Sequence, residues 1–298
     1  MWKSVALALL LLLPAGLSAQ KIAFSFDDGL DPLAKANAAH LNSAILRALE
    51  KNKVRGLFFV AGSRVDSKEG LALVRDWSKA GHAIANHSYA HLNFNNSNIS
   101  LDAFIDDAQK NERLLSQIPG YEKRFRFPYL KEGNTEQKRD GFRKWLSSNN
   151  YKSGAVSVDT SDWYYDLRLR KWLENNPKRY PSSFRQPYLD HLLDRATSYS
   201  NLAKQVVGRD VPHVMLLHTN TINAYFLADV VAMFRAAGWQ VVDPSEAYRD
   251  SIYSEKPQVL PAGESLVWSL AKQAGVPGLR YPAEDGSYEQ SKLDALGL

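Results

Sequence analysis

Two short motifs carry side chains that could bind a metal ion and move a proton. In the first, Asp27 and Asp28 stand side by side after an apolar segment and before Gly29. Adjacent residues that leave a strand point to different sides of the chain, so one carboxylate could bind a cation while its neighbour faces a water molecule on that cation. Taken alone, the motif fits an Asp-Asp-Gly turn without function at least as well.

In the second motif, His87 and His91 stand four residues apart. On a helical turn these imidazoles would lie on one face, near enough to bind one divalent cation. With Asp28 they would form a site of two histidines and one carboxylate that keeps open positions, a donor set that suits zinc and also cobalt, nickel or iron. A pair of surface histidines is the alternative for this motif taken alone.

Composition limits the class of protein. The chain has 298 residues, 45% of them hydrophobic and 11% aromatic, which suits a globular enzyme with a substantial core. It has no cysteine, and this excludes disulfides, thiolate metal ligands and a cysteine nucleophile. The formal net charge of +5 comes without a Lys and Arg cluster interleaved with aromatic residues, so the sequence predicts no nucleic-acid partner.

Short apolar segments alternate with longer amphipathic ones, a pattern that predicts βα units around a mostly parallel sheet or barrel. The predicted strands are residues 22–26, 56–61, 82–85, 125–127, 154–158, 213–218 and 240–242. The predicted helices are residues 34–51, 71–80, 101–117, 190–207, 226–238 and 264–274. His218 ends one of these strands, so we expect its side chain to project into the mouth of the barrel.

The start of the chain predicts export. Residues 1–19 contain Lys3, an apolar run and then small residues, the composition of a secretory signal peptide. An apolar run of about 10 residues is too short to span a bilayer, which needs roughly 20. We therefore expect a periplasmic or secreted protein without a stable membrane anchor. Residues 20–249 are predicted to form a catalytic barrel with an insertion at about 164–211, and residues 250–298 an extension packed on it; a monomer is expected.

Five motifs give the sequence a family resemblance. Residues 24–29 and 87–91 resemble the first two signature motifs of the polysaccharide deacetylases, carbohydrate esterase family four. The third, fourth and fifth motifs have counterparts in the family's order at residues 126–129, 159–163 and 215–218. Each motif is weak alone, but five in the same order are specific.

The resemblance implies a distorted (β/α) barrel with about seven parallel strands and a groove at their C-terminal ends. It also implies one divalent metal ion, for which zinc is favoured and cobalt or nickel is possible. Asp28, His87 and His91 would hold this ion, and Asp27 would act as the general base.

Other residues complete the expected site. Arg126 would keep Asp27 ionised through a charge-assisted hydrogen bond. His218 would be the general acid, and Asp162 would raise its pKa. The resemblance maps the family's oxyanion donor to the backbone N–H of Tyr129.

An apolar wall is expected for the acetyl methyl group. Strand alternation puts Leu216 on the same side as His218, and Trp163 would join it. Core packing is the alternative for both of these residues.

These expectations predict a hydrolase that removes acetyl groups from a carbohydrate, either a glycan containing N-acetylglucosamine or acetylated xylan. One alternative keeps the same site but cleaves another amide, such as a formyl-sugar or a cyclic imide. Another alternative is a glycan-binding protein without catalysis on the same scaffold.

Overall fold

The computed structural model describes residues 19–280, 282 and 286–298, so the predicted signal peptide lies outside the described residues except for Ala19. The strands are β1 (Lys21–Asp28), β2 (Leu57–Val60), β3 (Ala83–Asn86), β4 (Tyr121–Phe125), β5 (Lys131–Gly133), β6 (Lys152–Ser153), β7 (His213–His218), β8 (Gln240–Val241) and β9 (Ala262–Gly263). The helices are α1 (Ala38–Lys51), α2 (Lys68–Lys79), α3 (Leu101–Leu115), α4 (Glu136–Ser148), α5 (Asp162–Asn175), α6 (Ser182–Val207), α7 (Thr221–Ala236), α8 (Pro244–Ala247), α9 (Leu266–Gln273) and α10 (Ser287–Ala295).

Seven parallel strands form one curled sheet in the order β6-β4-β3-β2-β1-β7, and β8 pairs with β1. Strand β1 has neighbouring strands on both sides, and its six central residues are buried. The predicted α/β fold, a distorted barrel of about seven parallel strands, is confirmed in the form of a half-barrel.

The register brings the C-terminal ends of the strands to one edge of the sheet. Asp27 lies opposite His218 of the neighbouring strand β7, and Asp28 lies opposite Val60 of β2. Strand β3 ends at Asn86, immediately before the histidine motif. The two motifs and the predicted acid are therefore neighbours in space although Asp27 and His218 are 191 positions apart in sequence.

The predicted strand at residues 154–158 is mostly absent. Only Val158 forms a parallel bridge, with Met215 of β7, while β6 ends before this segment. The backbone at Gly154 approaches β4 closely: its N–H donates to the carbonyl of Phe125, and a Cβ atom at position 154 would lie 2.4 Å from that oxygen. Glycine permits this contact, which interrupts the regular ladder.

Helices α4 and α5 were not predicted, and α6 begins at Ser182 rather than at residue 190. The apolar residues of α4 that pack inward are Phe142, Trp145 and Leu146, all in its second half. Two carboxylates, Asp162 and Asp166, are among the buried residues of α5. Apolar periodicity, on which sequence prediction depends, is therefore short in α4 and interrupted by carboxylates in α5.

Residues after α8 contact the half-barrel at several points. Strand β9 pairs with β5 in an antiparallel ladder, and the N–H of Leu266 donates to the carbonyl of Val156. Leu293 and Leu298 are buried members of the main core. Within the described ranges, no helix is both long enough and apolar enough to cross a membrane.

Candidate metal centre and active site

Three predicted metal ligands converge at the C-terminal edge of the sheet. One donor atom each from Asp28, His87 and His91 lies within 4.8 Å of the others. His91 Nε2 is 3.2 Å from Asp28 Oδ1, and this oxygen is buried without a hydrogen bond to any residue that the structure describes. A buried carboxylate oxygen beside two imidazoles fits a divalent cation of the zinc class, which takes nitrogen and oxygen donors.

The histidine motif is not a helical turn, and the sequence expectation on this point was wrong. Ser88 and His91 have positive φ angles of 62° and 54°, so residues 87–91 form a tight loop. The carboxylate of Asp107 accepts hydrogen bonds from the backbone N–H groups of residues 89 and 90. These side-chain bonds replace those of a helix, and the loop brings the two imidazole centroids to 5.0 Å.

The hydrogen bonding of His87 suits a metal ligand. Its Nδ1 lies 2.9 Å from the carbonyl oxygen of Arg126, and since a carbonyl only accepts, Nδ1 carries the proton and Nε2 keeps a lone pair. Burial lowers the pKa of His87 well below its usual range and lowers the pKa of His91 to about 4. Both imidazoles are therefore neutral at pH 7, the form that binds metals.

Asp27 lies against a buried cation. Arg126 Nη1 is 2.6 Å from Asp27 Oδ1, and the arginine is 1% exposed, which is incompatible with an ordinary surface arginine. Nη1 also donates to Ser25 Oγ, and Nε donates to the carbonyl of Gly154. Burial raises the pKa of Asp27 to about 6 although Arg126 opposes the rise, so the carboxylate is ionised at pH 7 yet basic enough to take up a proton.

His218 and Asp162 form a close pair. Asp162 Oδ1 is 2.6 Å from His218 Nδ1, while Oδ2 accepts from the backbone N–H of His218 and from the amide groups of Asn220 and Asn223. Burial opposes the protonation of His218, but the charge of Asp162 and its hydrogen bond, with Asp28 and Asp27, raise the pKa of His218 to about 10.

A groove of about 650 Å³ opens above these groups. Of the ten predicted site residues, eight line it, and they are Asp27, Asp28, His87, His91, Tyr129, Trp163, Leu216 and His218. The other two, Arg126 and Asp162, contact Asp27 and His218 directly.

Tyr129 and Leu216 stand on different parts of the groove. Tyr129 has a φ of 56° and packs the edge of its ring against His91, with 4.5 Å between centroids. Leu216 is only 4% exposed but lines the groove, so core packing and a wall for the substrate are compatible roles for it.

Sequence reasoning missed several groups around the groove. Arg64 lies 3.5 Å from Asp28, and Thr219 Oγ1 accepts from the N–H of Gly29. The four polar residues among positions 219–223, which directly follow the buried strand β7, were a usable signal, because Asn220 and Asn223 supply both amides on Asp162. No pattern in the sequence pointed to Arg64.

One face of α5 also lines the groove. Trp163, Asp166, Leu167 and Arg170 face it at spacings of three and four residues, as expected for one side of a helix. Asp166 is fully engaged, since it accepts from the first two N–H groups of α7 and pairs with Arg170 at 2.7 Å.

Comparison with known proteins adds an independent line of evidence. Residues 15–144 match the sequence model of the polysaccharide deacetylase family. A peptidoglycan-N-acetylglucosamine deacetylase of Bacillus cereus is 29% identical over 143 residues, which are 48% of this chain and 46% of that protein. A second protein of the same name and organism is 25% identical over 228 residues, 76% of this chain and 88% of that protein. The chain thus spans about half the length of the first relative and most of the second.

Solved structures agree on the fold. The chitin deacetylase of the fungal pathogen Colletotrichum lindemuthianum superimposes with a TM-score of 0.53 at 20% identity, over 77% of this chain and 87% of that one. The match of residues 15–144 to the family model, with the two relatives, confirms the resemblance drawn from the sequence for that segment, which is similar to the polysaccharide deacetylase domain.

Proposed function

We propose that this protein is a metal-dependent hydrolase that removes acetyl groups from a glycan containing N-acetylglucosamine. One observation carries the proposal: a carboxylate held by a buried arginine and a histidine held by a buried carboxylate flank a candidate metal centre in one groove. The family match supports a hydrolase, and the names of the two Bacillus cereus relatives support the sugar.

Asp28, His87 and His91 would hold the metal ion, and their two nitrogen donors and one oxygen donor favour zinc, with cobalt or nickel as alternatives. When bound, such a cation acts as a Lewis acid that polarises the acetyl carbonyl and makes a water molecule more acidic.

Asp27 takes a proton from the water molecule that attacks the acetyl carbon. Its pKa of about 6 suits a base at neutral pH. Arg126 keeps the carboxylate in place, because Gly154 and Ser25 engage the guanidinium on its other sides.

His218 then gives a proton to the leaving atom, the sugar nitrogen of an amide or the sugar oxygen of an ester. The bond from the acetyl carbon to this atom breaks, and acetate and the free amine or hydroxyl result. Asp162 keeps His218 protonated and fixes its ring. The backbone N–H of Tyr129 is proposed as a donor to the oxyanion, and Leu216 and Trp163 as the wall beside the acetyl methyl.

The natural substrate is proposed to lie outside the cytoplasm, in keeping with the predicted signal peptide and with relatives named for peptidoglycan deacetylation. A glycan is the proposed partner, and the protein is proposed to act as a monomer.

The test is acetate release from acetylated chitin oligomers, peptidoglycan and acetylated xylan, with zinc or cobalt restored and again with a chelator. We expect release from one of these glycans that the chelator abolishes. Asp27→Asn should be inactive, whereas Asp229→Asn, which removes a surface carboxylate paired with Arg185, should match the wild type. Release that survives the chelator or Asp27→Asn would refute the mechanism, and silence on every glycan with metal bound would favour another amide or a binding role.

A further inference from the structure

Four buried polar side chains lie next to the start of α5, outside the groove. They come from three helices and are each at most 3% exposed: Tyr165 of α5, His191 and Arg195 of α6, and Glu289 of α10. We refer to these four residues as the support cluster. None of them lines the groove.

Glu289 is the centre of the support cluster. Its Oε2 lies 3.4 Å from His191 Nδ1 and 3.5 Å from the hydroxyl of Tyr165, and its Oε1 lies 3.2 Å from Arg195 Nη2. The ring of Tyr165 stacks on the imidazole of His191 with 4.7 Å between centroids. The carboxylate and the stacked ring together fix the orientation of His191.

His191 accepts a hydrogen bond from the backbone just before α5. The N–H of Ser161 donates to His191 Nε2 at 3.1 Å. Because Nε2 is the acceptor, the imidazole carries its proton on Nδ1, where it faces Glu289. Burial lowers the pKa of His191, which agrees with a neutral ring in this role.

Ser161 is held on both sides. Its carbonyl accepts from the N–H groups of Tyr164 and Tyr165 in the first turn of α5. The preceding residue, Thr160, donates its hydroxyl to the carbonyl of Leu216 in β7. The next residue is Asp162, whose carboxylate contacts His218 at 2.6 Å.

We propose that His191 and Glu289 are positioning residues for the general acid. Through the Ser161 N–H they fix the start of α5, and with it the carboxylate that orients His218. This inference rests on the proposed function for its catalytic consequence. It makes α10, which lies outside the segment matched to the family, part of the support of the active site.

The expected effect follows from the short contact between Asp162 and His218. Without an acceptor for its N–H, the buried backbone at Ser161 must shift to find another partner, because an unpaired buried donor is unfavourable. Small displacements of catalytic groups reduce rates strongly, even when the mutation lies far from the chemistry.

Two substitutions of His191 separate a positioning role from simple packing. His191→Leu removes the acceptor, whereas His191→Gln keeps a side-chain oxygen that can accept from Ser161. On the glycan that the wild type deacetylates, we expect His191→Leu to lower kcat about tenfold, less than the roughly 100-fold that a 1 Å misplacement of a catalytic group can cost. KM and the affinity for zinc should change less than twofold, and His191→Gln should keep at least half of the wild-type kcat.

Asp294→Asn is the matched control on the same helix. It breaks the 2.6 Å ion pair between α10 and Arg168 of α5 but leaves the support cluster intact, so its kcat should equal that of the wild type. Should His191→Leu fail to fold, Glu289→Gln takes its place, with an expected threefold or greater loss of kcat at unchanged zinc affinity.

Nuclear magnetic resonance gives a second measurement that does not need activity. We expect the ring signals of His218 to move in His191→Leu and to stay in place in His191→Gln. If the wild type releases no acetate, the proposed function fails, and these signals still decide the structural link. Equal kcat values, or equal His218 signals, in the Leu and Gln variants would overturn the positioning role.

Discussion

Two pairs, each of a histidine and a buried carboxylate, use the same contact for different purposes. In both pairs, Nδ1 of the imidazole faces the acid, at 2.6 Å for His218 and Asp162 and at 3.4 Å for His191 and Glu289. His218 lines the groove, so its other nitrogen is on the side where a proton can be transferred. In His191 the other nitrogen, Nε2, accepts a hydrogen bond from the N–H of Ser161.

The charges around each ring reinforce this difference. Burial acts against the charged form of both histidines, but three carboxylates raise the pKa of His218 to about 10. Around His191, Glu289 acts against Arg195 and Lys292, and the pKa of the imidazole is lowered. A contact between a histidine and a carboxylate is therefore not by itself a sign of acid catalysis. The histidine can act as an acid only if its second nitrogen has no backbone partner and the surrounding charges keep the ring protonated.

The largest effect should come from breaking the pair that lines the groove. His218→Gln removes the titratable proton, and we expect kcat to fall by about 10² to 10⁴, the range for loss of a general acid. Initial rates of acetate release by metal-loaded protein measure it, with His191→Gln as the matched control. A loss smaller than tenfold would mean that another group protonates the leaving atom.

The next effect should come from the carboxylate of the same pair. Asp162→Asn removes the strongest influence that raises the pKa of His218, and we expect kcat to fall about 100-fold at neutral pH. The acid works in its protonated form, so activity is lost as pH rises through the pKa of His218. The alkaline limb of the pH profile should therefore move to lower pH in Asp162→Asn.

The pH profiles of kcat are measured for the wild type and for Asp162→Asn, both loaded with the same metal, so that the bound cation shifts the pKa of His218 in both proteins. An alkaline limb at the same pH in Asp162→Asn and in the wild type would show that His218 does not set it.

A smaller effect on activity, but a clear one on stability, should come from the support cluster. Glu289→Gln removes the negative partner of Arg195 in a site that is 3% exposed, and we expect the free energy of unfolding to drop by about 3 kcal/mol. Urea unfolding followed by circular dichroism measures the drop. Stability equal to that of the exposed-pair control Asp294→Asn would show that the buried ion pair contributes nothing net.

The smallest effect should come from the edge of the support cluster. Tyr165→Phe keeps the ring that stacks on His191 and removes only a hydroxyl 3.5 Å from Glu289. We expect the free energy of unfolding to fall by about 0.5 to 1 kcal/mol and kcat to stay within twofold of the wild type. A tenfold loss of kcat would show that the hydroxyl, and not the stacked ring, orients His191.

The proposed catalytic pair of His218 and Asp162 could be predicted from the sequence, whereas the pair of His191 and Glu289 could not. His218 ends the buried strand β7 and Asp162 begins α5, and both belong to motifs of the resemblance, which therefore named them. His191 and Glu289 lie in helices whose polar residues face inward, and no local pattern distinguishes such residues from exposed ones. Their pairing spans 98 positions, from 191 to 289, which only the packing of α10 reveals.

The same limit holds for local geometry. The short apolar segments between amphipathic ones predicted most strands of the sheet, including those that end at Asp28 and His218. It could not predict the loop at residues 87–91, because the carboxylate of Asp107, a residue of the following helix, shapes that loop. The spacing of four residues between His87 and His91 suggested a helical turn, but the hydrogen bonds to Asp107 stabilise a loop instead.

His218 carries a proton that it can transfer, whereas His191 is neutral and accepts a hydrogen bond from the backbone N–H of Ser161. Nitrogen-15 magnetic resonance of the imidazoles in metal-free protein tests this difference directly, since both rings are observed in one pH titration. We predict that His218 stays protonated on both nitrogens through neutral pH and loses its proton near pH 10, while His191 stays neutral with its proton on Nδ1. A neutral His218 at pH 7, or a His191 protonated on both nitrogens there, would contradict the account.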